Sequence, residues 1–163
     1  MFNLYNEILT EHNLHPNNKC SLADATHHQH GINPNCGDEI TLSLKLNNNI
    51  IEDASFQGSG CAISQASTDI MIDLMLDQPI DKAKELCRLF IGMVQGTITD
   101  EKELAPLDEA LTFKNISKMP ARVKCAVLSW HTMETILDKD PSKNSQLNKK
   151  YHLDLNSSKL KLR

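Results

Sequence analysis

The chain has 163 residues, 40% apolar and 23% charged, with a net charge of −4, the proportions of a soluble globule with one core. An acidic balance argues against nucleic acid as a partner, and no apolar run approaches membrane-spanning length, so a cytoplasmic protein with no membrane partner is expected. Five cysteines, an odd number without disulfide-framework spacing, read as thiols or metal ligands rather than bridges.

In chain order, Phe2, Leu4, Tyr5, Ile8 and Leu9 fall at helical spacing and predict a short helix over 2–12. Residues 13–35, broken by Pro16, Asn17, Asn18, Gly31 and Pro34, read as loop. Within them Cys20, His27, His28 and His30 are of metal-ligand type, yet nothing in the sequence sets their geometry, and an exposed polar loop is the plainer reading. Residues 40–46 alternate Ile40, Leu42, Leu44 and Leu46 with polar neighbours, and residues 50–57 return after Asn47, Asn48 and Asn49, which predicts a β-hairpin. With Asn48-Asn49 as the two-residue turn, facing positions sum to 97, and the extended ladder sets Cys36 opposite Cys61. Strands about 4.8 Å apart would let both sulfurs share one ion.

Residues 61–76 form an amphipathic helix with Ile63, Ala66, Ile70 and Leu74 as its inner stripe, stopped by Pro79. Pro79 opens a further helix through Val94, ended by Gly96; its face is Ala83, Leu86, Phe90 and Val94, with Cys87 at the edge as core filling. Residues 97–118 read as a charged insert with a short helix, where Asp100 and Glu103 make a capping box and Pro106 interrupts. A last helix covers 120–139 from Pro120, with Val123, Ala126, Val127, Trp130, Met133 and Leu137 buried. Six basic side chains against Asp154 give residues 141–163 a net +5, leaving −9 for residues 1–140; the polar tail reads as a mobile extension of one domain, 1–140.

Three places in this layout carry chemistry. Cys36 and Asp38 are two apart on an extended chain and point to one side, with Gly37 between them. Cys61 stands at a helix N-terminus, where the macrodipole favours thiolate. Cys125 lies about 130° from the centre of its helix's apolar stripe, a poor position for plain core filling, with Arg122 and Lys124 beside it. Thiolates joined by a carboxylate suit Zn²⁺, whereas iron–sulfur clusters are more usually held by thiolates throughout.

The segments NPNCGD (33–38), FQGSGCAISQAS (56–67) and RVKCAVLSW (122–130), in that order and spacing, resemble the IscU-like scaffold family of iron–sulfur cluster assembly, and most closely its SufU branch. The resemblance covers about residues 2–140. It implies an α+β fold, a small antiparallel β-sheet of about three strands covered on one face by helices. It also implies that Cys36, Asp38, Cys61 and Cys125 gather at one end as metal ligands. Lys124 stands where scaffold-type members carry a histidine, Met119–Lys124 replaces their Leu-Pro-Pro-Val-Lys sequence, and the insert 97–118 is typical of the SufU branch.

That branch implies a zinc-dependent sulfurtransferase that takes persulfide sulfur from a cysteine desulfurase of the SufS type and passes it to a Suf-type cluster assembly complex. The residue resembling Cys36 accepts the sulfur, and the one resembling Arg122 helps the desulfurase engage. A scaffold for a transient [2Fe–2S] cluster is the alternative. A binding module in which zinc only staples the fold is a third reading.

Overall fold

The hairpin forms where the period-two pattern places it, in a computed structural model that describes residues 6–139. Strands β2 (Asp38–Asn47) and β3 (Ile50–Ser59) pair antiparallel, and Asn48 and Asn49 both take positive φ, 53° and 64°, as a two-residue turn of matching twist requires. Ile40, Leu42, Leu44 and Phe56 point inward and are fully buried.

The ladder departs from the expected register partway along. Asn47 faces Ile50 and Leu46 faces Ile51, as predicted; beyond a bulge, Lys45 faces Asp53, and the pairing runs one residue out of step to Glu39–Ser59. Pairing ends there. Cys36 therefore does not face Cys61 across a ladder but sits in the turn before β2, where Cys36 N and Gly37 N donate to Asn33 O and Gly37 takes a φ of 73°.

A second departure lies in residues 13–35, which are not all loop. Strand β1 (His27–Asn33) pairs antiparallel with β2, completing a three-stranded sheet of order β1-β2-β3. No apolar alternation announces β1; pairing with β2 and contact with a helix hold it. Gly31 makes that contact close, since a Cβ there would lie 2.1 Å from Thr132 Oγ1.

The helices cover one face of the sheet. Helix α1 (Glu7–Leu14) starts and ends later than predicted, with Asn6 as N-cap; Leu9 is buried and Ile8 exposed, while Phe2, Leu4 and Tyr5 lie outside the described residues. Helix α2 (Ala62–Met75) is buried around most of its circumference rather than along one stripe, with Leu74 only half-buried. It ends ahead of Pro79, at a turn in which Asp77 takes a φ of 66°. Helix α3 (Ile80–Gln95) follows with Pro79 as N-cap and Gly96 as a left-handed C-cap, and its Cys87 is fully buried.

The region 97–118 is less of a surface insert than its charge implied. A one-turn helix α4 (Glu101–Leu104) runs into 3₁₀ turns, Ala105–Lys118, kinked at Asp108, and Pro106 opens these turns rather than interrupting a helix. Asp100 caps α4 by accepting from Lys102 N, but Glu103 pairs with Arg88 of α3 instead of closing a capping box. Leu104, Leu107, Ala110, Phe113 and Ile116 are buried. Helix α5 (Pro120–Asp138) packs against β1, α2 and α3. At the centre, Trp130 stacks on Phe90 with ring centroids 4.0 Å apart, and Phe113 meets Phe90 edge-on at 5.6 Å. The result is an α+β fold. Residues 141–163, predicted as a mobile extension, lie outside the described residues.

Candidate metal centre

At the end of the sheet away from the Asn48-Asn49 turn, four side chains named from the sequence come together. Asp38, the first residue of β2, is fully buried, and its Oδ1 accepts from Cys61 N at 2.8 Å. That approach needs Gly60, because a Cβ there would lie 2.6 Å from the same oxygen. The Cys36 thiol lies 2.9 Å from Asp38 Oδ2 and 3.4 Å from Cys125 Sγ. Cys61 Sγ is 3.9 Å from Asp38 Oδ2 and accepts from Ser64 N at 3.4 Å, so the thiol itself caps α2.

The tightest group is Cys36, Asp38 and Cys125, whose ligand atoms all lie within 4.8 Å of one another; Cys61 borders it. Cys125 is buried, 1% exposed, yet it faces this group rather than the helical core, which accounts for its place off the apolar stripe. Arg122 is half-buried one turn earlier on α5, and Lys124 is exposed. Lys124 lines a recess of about 280 Å³ with Cys36, Asn33, Asn35, Pro120 and Ala121. An apolar recess of about 710 Å³ adjoins it, including Ile32, Val94, Val123, Val127 and Leu128 and sharing Asn33, Pro120 and Lys124.

The electrostatics favour a cation. Burial pushes the Cys125 thiol well above the usual thiol range, reinforced by the hydrogen bond with Cys36 and the charges of Cys61 and Asp38. Among the described residues no Lys, Arg or His makes an ion pair with buried Asp38. Removing a carboxylate from water without a countercharge costs several kcal/mol, and a divalent ion shared with the thiols removes that cost. The donor set, sulfur with one oxygen, fits Zn²⁺.

One contact at the site was not singled out from the sequence. Asn33, 7% exposed, donates from Nδ2 to Cys36 Sγ at 2.9 Å, and Asn35 N donates to its Oδ1. Its sequence signals were its place at the head of the segment 33–38 and the offset of three residues from Cys36, the reach of a tight turn. Cys20 and the histidines are not part of this cluster.

The chain is similar to several known proteins. The profile of the NifU-like N-terminal domain matches residues 4–126. The zinc-dependent sulfurtransferase SufU of Bacillus subtilis is 37% identical over 86% of this chain and 94% of its own. The iron–sulfur cluster assembly scaffold protein IscU of Thermotoga maritima is 35% identical over 83% of this chain and 94% of its own. A solved structure from Fervidobacterium islandicum, described as an iron–sulfur cluster assembly scaffold protein for the SUF system, superposes with a TM-score of 0.76 at 34% identity, covering 82% of this chain and 96% of that one.

Proposed function

The chain belongs to the NifU-like N-terminal domain family, and from that premise we propose that it serves iron–sulfur cluster assembly as a zinc-dependent sulfur carrier whose acceptor is Cys36. The observation that carries the proposal is the gradient of access across the three thiols. Cys36 is exposed and opens on the 280 Å³ recess, Cys61 is half-buried, and Cys125 is closed to solvent. A partner protein reaches the first most readily and the last not at all.

Cys36, Asp38, Cys61 and Cys125 would hold the zinc, which when bound keeps the thiols deprotonated and guarded against oxidation. The remaining chemistry belongs to the chain. Cys36 Sγ, as thiolate, attacks the outer sulfur of a cysteine persulfide on a desulfurase of the SufS type. A new S–S bond forms to Cys36, the donor's S–S bond breaks, and the donor cysteine leaves as thiolate, with no net oxidation. Asn33 Nδ2 holds Cys36 Sγ in place, and Lys124 sets positive charge beside the incoming anion. Arg122, one turn before Cys125, engages the desulfurase, and a Suf-type assembly complex receives the sulfur.

The test is desulfurase stimulation. Cys36→Ala should fold, by circular dichroism, yet give no increase in desulfurase turnover; full stimulation by that variant removes the acceptor role. Similarity to the Thermotoga protein keeps a scaffold for a transient [2Fe–2S] cluster as the second reading, with the cluster as cargo. Anaerobic reconstitution that yields a chromophore transferable to apo-proteins would favour it.

A further inference from the structure

The first turn of α2 carries a buried hydroxyl that its own helix leaves over. Ser64 is 1% exposed, and its Oγ is one of four buried side-chain N or O atoms among the described residues without a hydrogen-bond partner. A hydroxyl inside a helix ordinarily donates to the carbonyl four residues back, as Thr68 Oγ1 does to Ser64 O and Thr132 Oγ1 to Leu128 O. Four residues before Ser64 is Gly60, which lies ahead of α2, and the next carbonyl, Cys61 O, accepts from Gln65 N. A hydroxyl buried in this way carries its full desolvation cost.

What Ser64 borders is Asp38. A Cβ at Gly60 would meet Asp38 Oδ1 at 2.6 Å and Ser64 Oγ at 3.2 Å, so both oxygens line the small gap that the missing side chain keeps open. The two carboxylate oxygens are used unequally. Oδ2 faces the sulfurs, 2.9 Å from Cys36 Sγ and 3.9 Å from Cys61 Sγ, while Oδ1 accepts from Cys61 N. An ionised carboxylate oxygen has two lone pairs, so Oδ1 has room for a second donor. Ser64 is a donor without an acceptor beside it. The two oxygens are not yet in hydrogen-bond contact, and a change of Ser64 rotamer, which moves its oxygen by about 2 Å, is the motion required.

We infer that Ser64 is a positioning residue for the metal centre, its hydroxyl donating to Asp38 Oδ1 when Oδ2 holds zinc. Carboxylates that ligate a metal depend on hydrogen bonds from behind to fix their orientation. Held by Cys61 N and Ser64 Oγ together, Oδ1 is kept from turning toward the ion. Oδ2 is then the single oxygen beside the thiolates of Cys36, Cys61 and Cys125, the four-coordinate set that zinc takes. A hydrogen bond to an ionised acceptor is roughly twice as strong as one between neutral groups, which is what repays the burial of the hydroxyl. The inference rests on the zinc reading of the cluster and adds to it a residue that is neither thiol nor charge.

The test is Ser64→Ala in the full chain, compared with wild type both stripped of metal and loaded with zinc, with circular dichroism as the check on folding. Without metal, deleting an unpartnered hydroxyl removes a penalty, so the variant should resist urea at least as well as wild type. With zinc, it should bind the ion about tenfold or more weakly in competition with a zinc-sensitive dye. A serine that only props the fold would lower stability equally in both forms; that result, or unchanged zinc affinity, overturns the assignment. Asp38→Ala supplies a second check. If Ser64 acts through this carboxylate, adding Ser64→Ala to Asp38→Ala weakens zinc no further, whereas another tenfold loss places the partner of the hydroxyl elsewhere and overturns it as well. A wild-type chain that takes up no zinc removes the metal centre and the role of Ser64 together. Wild-type uptake matched by the Ser64→Ala variant removes Ser64 alone.

Discussion

Gly60 shows how one missing atom organises the thiol cluster. A methyl group at this position would lie 2.6 Å from Asp38 Oδ1, so Gly60→Ala has to displace the carboxylate from Cys61 N. We expect that variant to fold but to bind zinc about 10- to 100-fold more weakly, measured by competition with a chromophoric chelator; unchanged affinity would show that Asp38 is not held by this route. Cys61 was legible in the sequence as a helix start, and Cys36 and Asp38 as an i,i+2 pair, although the chain between them is not extended as expected but a turn in which Gly37 takes a φ of 73°. Cys125 was legible only as an anomaly, a thiol turned away from its helix's apolar stripe. What it turns toward is tertiary, and no local period encodes that. Asn33 went unread because a side chain that reaches back across a turn resembles any other turn asparagine.

At the scale of elements, His12 ties three pieces of chain together. Its Nδ1 contacts Asp69 Oδ2 of α2 at 2.6 Å, and its Nε2 contacts Glu109 of the 3₁₀ turns. Asp69 also accepts from Asn17 N, Asn18 N and Asn18 Nδ2, so with His12 its lone pairs are filled. His12, Asp69 and Asp73 lie within 4.8 Å of one another, but this saturated carboxylate makes the group a strap and not a cation site. Burial alone would lower the His12 pKa; hydrogen bonds and charges from Asp69 and Glu109 outweigh it and hold the pKa above the usual 6.5. The stabilisation is complete below about pH 6.5 and fades as pH rises through the elevated value. His12→Gln should cost about 3 kcal/mol at pH 6 by chemical denaturation, and the difference from wild type should shrink as pH rises. Parallel stability curves for the two proteins would contradict this. The strap was invisible in the sequence because its members are 57 and 97 residues apart. Strand β1 was missed for a related reason: His27, Gln29 and Gly31 occupy the positions where an apolar alternation would have announced it.

For the whole molecule, the aromatic centre settles what metal removal does. Trp130, Phe90 and Phe113 join α3, α5 and the 3₁₀ turns, and Trp130 Nε1 donates to Ser67 Oγ of α2. This core owes nothing to the thiol cluster. Chelation is therefore expected to leave the helical circular dichroism at 25 °C intact while lowering the melting temperature, whereas unfolding on chelation would support the zinc-staple reading. The helices were legible because their periods and caps are local; the packing of 97–118 into the core was not, since its charged residues mask Leu107, Phe113 and Ile116.

The bulge between Lys45 and Leu46 sets the phase of everything beyond it. Without the bulge, a ladder that kept the register of the Asn48-Asn49 turn would pair Ala54 with Ser43 and Phe56 with Thr41, turning both outward and carrying the start of α2 half a pleat round. The arm of the hairpin can therefore lengthen or shorten only in steps of two. Insertions of odd parity have to be absorbed at its tip, far from the sulfur chemistry.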